Sequence, residues 1–157
     1  MAREGLGMAS NQVIDVTGAI FDGPVRGRRP PMVWRRAFRG VREQAHDARA
    51  FVRFLLADFA DVDDVVQVAG ELVANALTHT RSGAVGGAYV LELRRWRCGV
   101  ALAVTDQGGP AEPRIGYGGF AEHGFGLLTA DALATWWGWC GTERSRTVTA
   151  VFHRRPS

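Results

Sequence analysis

The sequence predicts an α+β fold, a two-layer sandwich with a mixed, mostly antiparallel sheet covered on one face by helices. Three observations predict it. Two stretches in the first half repeat apolar residues at helical spacing, one in the middle alternates with period two and the next is nearly apolar on both faces, and an irregular glycine-rich stretch separates these from a last helix and two more strands. With 157 residues, 46% hydrophobic and 22% charged, the chain is long enough for one core and short for two.

The elements follow in order. Residues 1–31 read as a mobile N-terminal arm, because only Val13 to Val16 are apolar and Pro30-Pro31 closes the segment. The domain proper is then 32–157. Met32 to Phe38 suits an edge strand. From Val41 to Phe59 the residues Val41, Ala45, Ala48, Val52, Leu55, Leu56 and Phe59 recur as on one helix face. A second helix, N-capped by Asp61 or Asp63, runs to about His79 with the stripe Val65, Val68, Ala69, Leu72, Val73 and Ala76. Gln67, Glu71, Asn75 and His79 lie four apart on another face of it. After a loop from Arg81 to Gly87, the strands Ala88 to Trp96 and Val100 to Thr105 form a hairpin through Cys98-Gly99. Asp106 to Gly126 is a long loop of the sort kept for function. Leu127 to Ala134 is a short helix, followed by strands near Thr135 to Cys140 and Thr147 to His153. Trp136, Trp137 and Trp139 are either core residues or an apolar patch for a partner.

Composition removes several functions. No segment approaches the roughly 20 apolar residues of a membrane helix, and no secretory signal opens the chain, so a cytoplasmic location is expected. Cys98 and Cys140 have neither disulfide-framework nor zinc spacing. The net charge is +3, with arginines crowded between Arg26 and Arg42 as a solvated arm or a docking surface. All 19 basic residues are arginine. Without lysine there is no phosphate-binding loop of the G-x-x-x-x-G-K type, no lysine-dependent protein-kinase site and no Schiff base.

Three motifs remain that can carry chemistry, each with a plainer reading. Glu71 and Asn75, in E-L-V-A-N, stand one helical turn apart and can serve a proton and a magnesium ion, or simply be surface. Asp106, in V-T-D-Q-G-G, ends an apolar strand and can accept the amino group of adenine, with Gly108 allowing close approach of the base, or form a turn. In H-G-F-G-L-L, from His123 to Leu128, glycines open a helix whose free N–H groups can cradle phosphate without lysine, or are merely a flexible entry.

The order E-x-x-x-N, D-x-G and G-x-G-L resembles the three nucleotide-binding boxes of the histidine-kinase-like ATPases, the GHKL or Bergerat-fold proteins. Asn75 and Asp106 are 31 residues apart, and Asp106 and Gly124 are 18 apart, a spacing similar to the single-domain anti-sigma-factor serine/threonine kinases. Further likeness lies in E-L-V-A-N-A-L-T-H-T, in G-F-G-L-L-T-A-D-A-L-A-T-W-W-G and in the closing T-V-T-A-V-F, and covers about residues 35 to 153.

The resemblance implies a Bergerat ATP-binding fold with ATP and Mg²⁺ as cofactors. Glu71 would be the general base and Asn75 the magnesium ligand. Asp106 and Gly108 would hold adenine, and Gly124, Phe125, Gly126 and Leu127 would serve the phosphates, with Thr147 on the last strand completing the nucleotide set. Pro110 to His123 would form a lid. Pro110 stands where the family has a second glycine, and no lysine accompanies the lid, leaving Arg114 and His123 as its cations. The implied activity is phosphorylation of a serine or threonine on an anti-anti-sigma protein, with a sigma factor as the second partner and homodimers common in the family; the alternative is a catalytically inactive, nucleotide-gated binding module. Neither nucleic acid nor membrane is an expected partner. His46 in H-D-A-R is not a phosphoacceptor box, since Phe51 replaces its proline and no dimerisation hairpin fits before Glu71.

Overall fold

The computed structural model describes residues 29–110, 112–113 and 125–154. The expected arm therefore lies outside the described residues but for its last three, as do most of the lid and Gly124. Five strands form one sheet: β1 (Met32–Arg39), β2 (Ala88–Trp96), β3 (Gly99–Asp106), β4 (Trp136–Thr142) and β5 (Ser145–His153). Their order across the sheet is β1-β2-β3-β5-β4, and every pairing is antiparallel. The helices are α1 (Arg42–Leu55), α2 (Val62–His79) and α3 (Phe125–Leu133), with a short 3-10 turn at Arg81–Gly83.

Alternation along the strands decides which face is covered. Tyr89, Leu91 and Leu93 of β2, Val100, Leu102 and Val104 of β3, and Val148, Ala150 and Phe152 of β5 are all buried in one cluster with the helices. Helix α2 supplies Val65, Val68, Ala69, Leu72, Val73 and Ala76 to this cluster, and α1 supplies Ala48 and Val52. The apolar stripes read from the sequence are thus the helices' inner faces. Trp137 and Trp139 of β4 pack on the same core, whereas Trp136 stays 44% exposed. The predicted choice between core and patch is settled by position in the pleat, two tryptophans facing in and one out.

The opposite face carries a polar row. Arg35, Glu92, Ala103, Thr149 and Gly138 are successive register partners across five strands. The Glu92 carboxylate joins Arg35 at 2.7 Å and Arg94 at 2.5 Å. This explains how a glutamate comes to be nearly buried in a strand: two arginines satisfy both of its oxygens.

Edge strand β1 is fixed by Phe38, stacked on Tyr89 at 5.5 Å and edge-on to Phe51 at 6.0 Å. Helix α1 is shorter than its apolar pattern. It starts after Val41, which is 45% exposed, and stops at Leu55, while Leu56 and Phe59 reach the core from the connection beyond it. Asp61 does precede α2, but its side chain makes no capping bond. Asp63 instead pairs with Arg53 at 2.7 Å, which ties the end of α1 to the beginning of α2.

Candidate functional site

The site is built where β3 ends beside the end of α2. Asp106 is the last residue of β3 and continues the inward face of Leu102 and Val104, so its carboxylate is only 7% exposed. The Gly108 N–H donates to its Oδ1 at 2.6 Å. Burial pushes the carboxyl above the ordinary carboxylate range, against the pull of the Gly108 amide, the Arg146 charge and backbone amide, and the Arg81 charge.

Glycine is required in this turn. Gly108 has φ +70°, and a Cβ there would stand 2.1 Å from the Glu143 carbonyl oxygen, a clash no rotamer relieves. At Gly109 a Cβ would come within 3.0 Å of the His79 carbonyl oxygen. The backbone of the D-x-G turn and the last turn of α2 are therefore in direct contact.

Hydrogen bonds lock that contact. Thr80 ends α2 by donating to the Ala76 carbonyl at 2.6 Å and accepting from the Ser82 N–H at 3.1 Å. Next, the Arg81 N–H donates to the Gly108 carbonyl at 2.8 Å, and the Gln107 N–H donates to the Ser82 hydroxyl at 2.9 Å. The Gln107 side chain accepts from the Ala88 N–H at 3.0 Å. The Arg81 guanidinium also reaches the Glu143 carbonyl in the β4–β5 turn.

The predicted residues fall into place unequally. Glu71 and Asn75 are half-buried on α2, and Asn75 lies one turn before the anchored end at His79. From His79 back to Glu71 the helix rises roughly 12 Å, so Asn75 and Glu71 stand about one and two turns back from that contact. Helix α3 packs on α2 and begins at Phe125, two residues earlier than its apolar pattern. Leu127 is 2% exposed in the core; it anchors α3, and what it can offer a ligand is its backbone N–H. Gly124 and the side chain of Phe125 lie outside the described residues, and Gly126 is described only as part of the helix.

Thr147 pairs away from the Asp106 carboxylate. It is the register partner of Thr105, and their hydroxyls are 2.8 Å apart on the face away from Asp106, because adjacent strand residues point to opposite sides. The residue that does face Asp106 is its own register partner, Arg146, 3% exposed, which donates from Nη2 to the Gly109 carbonyl at 2.6 Å. The inward positions Val148, Ala150 and Phe152 carried the signal, since stepping back by two reaches 146.

An open antiparallel sheet roofed by helices, with a carboxylate-ended strand locked to a helix bearing Glu and Asn, defines a class: an α+β sandwich. The profile of the histidine kinase-like ATPase domain matches residues 37–150, and the chain belongs to that family. The crystal structure of the RsbU and RsbW domains of Rv1364c from Mycobacterium tuberculosis is similar in fold, with a TM-score of 0.59 and 21% identity over 80% of this chain. This chain spans 34% of that one. No curated protein matches the sequence significantly.

Proposed function

We propose that the chain is an ATP-binding regulatory kinase that transfers the γ-phosphoryl group of ATP to a serine or threonine hydroxyl of a partner protein. The observation that supports this reading is the hydrogen-bonded junction of the end of α2, the helix that carries Glu71 and Asn75, with the Asp106–Gly109 turn.

In this reading Asp106 accepts the amino hydrogen of adenine, and glycine at 108 keeps the floor of the base site low. The partner's hydroxyl gives its proton to Glu71 as its oxygen takes the phosphoryl group, and ADP leaves. Among the described residues no three His, Cys, Asp or Glu side chains could hold a metal. Magnesium carried by the triphosphate asks the protein for only one or two oxygens, and an amide oxygen is a suitable donor for so hard a cation. Asn75 would supply one, and the ion would neutralise phosphate charge. Backbone N–H groups at the start of α3, including those of Gly126 and Leu127, serve the phosphates.

The family resemblance names the acceptor as an anti-anti-sigma protein and the second partner as a sigma factor, with regulation of transcription as the outcome. Among the described residues no helix is long and apolar enough to cross a membrane, and we place the activity in the cytoplasm. Labelled ATP with magnesium and a purified acceptor tests the reading. Transfer is expected, and Glu71→Ala should lose it by at least about 100-fold while still binding ATP. Tight binding with no transfer would instead make the chain a nucleotide-gated binding module.

A further inference from the structure

We infer that Arg146 is a positioning residue that sets the base selectivity of the nucleotide site, holding the Asp106 carboxylate as an acceptor for purines that carry a 6-amino group. The inference rests on the ATP-site reading above and goes beyond it, because it assigns selectivity to a side chain that would not itself touch the base.

Arg146 is the most buried charged side chain named in the core at 3% exposure, on a strand face otherwise made of Val148, Ala150 and Phe152. A guanidinium is kept out of water only where local groups compensate it. Nη2 donates to the Gly109 carbonyl at 2.6 Å, and Cζ lies 5.8 Å from the centre of the Trp139 ring. Its charge and its backbone N–H both act on the Asp106 carboxylate. The other charge acting on Asp106, that of Arg81, belongs to an exposed residue whose guanidinium is engaged with the Glu143 carbonyl, so solvent screens it more. His79 meets the turn through its backbone carbonyl. Arg146 is thus the buried cation beneath the base acceptor.

Selectivity follows from proton bookkeeping. An ionised carboxylate only accepts hydrogen bonds, and one oxygen of Asp106 is already taken by the Gly108 N–H. The accepting capacity that remains suits the 6-amino group of adenine and repels the 6-oxo group of hypoxanthine. A neutral carboxyl could donate to the 6-oxo group, so discrimination depends on keeping the charge. Arg146 supplies the opposite charge that burial would otherwise remove.

Calorimetry with ATP and with ITP, on the full chain and on Arg146→Lys and Arg146→Gln, tests this. Wild type is expected to prefer ATP by about tenfold or more. Arg146→Lys keeps the cation and should keep that preference. Arg146→Gln keeps an amide donor toward Gly109 without the charge, and the preference should fall to within about threefold, with inorganic tripolyphosphate bound equally by all three. A glutamine variant that retains the wild-type ratio, or binds ATP more tightly than wild type, overturns the inference. So does a lysine variant that loses the ratio, which decides the matter even if the glutamine variant does not fold. Wild-type chain that binds neither nucleotide overturns the ATP-site reading itself.

Discussion

A methyl group at position 108 would land on the Glu143 carbonyl in a backbone conformation that side chains avoid. Gly108→Ala should therefore destabilise the chain by about 1–3 kcal/mol, measured by urea unfolding, and abolish ATP binding measured by calorimetry; wild-type stability would contradict the turn geometry. At this scale the sequence was legible where a motif has one physical use. Asp106 and Gly108 were found because a strand-ending Asp-x-Gly must turn. Thr147 and Arg146 are neighbours in the sequence but lie on opposite faces of the sheet, because one residue in a strand is the difference between two faces. Arg146 was missed because an arginine beside an exposed turn is ordinarily a surface residue; only the register with Asp106 reveals that it points inward.

The elements were legible as a series because each apolar pattern had a single partner surface. Their ends were not. Helix α1 closes at Leu55 while its apolar pattern continues to Phe59, since Leu56 and Phe59 can reach the core without helical geometry. The choice between Asp61 and Asp63 as cap was not legible: Asp61 holds the cap position without a side-chain bond, and Asp63 lies inside the first turn, paired with Arg53. Tyr89 joins three elements: it stacks on Phe38 of β1, lies in β2, and donates from its hydroxyl to the Gln44 carbonyl of α1 at 3.3 Å. Burial, helped by the Asp47 charge and opposed by that of Arg49, pushes its phenol from 10.0 up to about 12. The folded state thus favours the neutral phenol. Its contribution is fully present below pH 10 and is lost as pH rises from 10 to about 12. Tyr89→Phe should flatten the fall in urea midpoint across that window, and an unchanged slope would contradict the assigned burial.

The whole molecule divides its labour by end and by face. One face of the sheet is core. The other carries the Arg35–Glu92–Arg94 cluster, and the proposed nucleotide site lies at the end where β3 and α2 stop. The order and spacing of three short motifs, each ambiguous alone, pointed to such a meeting, and the contact of α2 with the Asp106–Gly109 turn is the part of it that the described residues contain. The junction itself was not legible: it depends on Thr80, Ser82 and Gln107, polar loop residues whose hydrogen bonds no periodicity announces. A crystal structure with magnesium and a non-hydrolysable ATP analogue tests the convergence most directly. The adenine amino group should lie within hydrogen-bond distance of Asp106, with the phosphates running past Asn75 toward Glu71 and the start of α3. Nucleotide seated away from Asp106, or phosphates leading away from α2, would contradict the account.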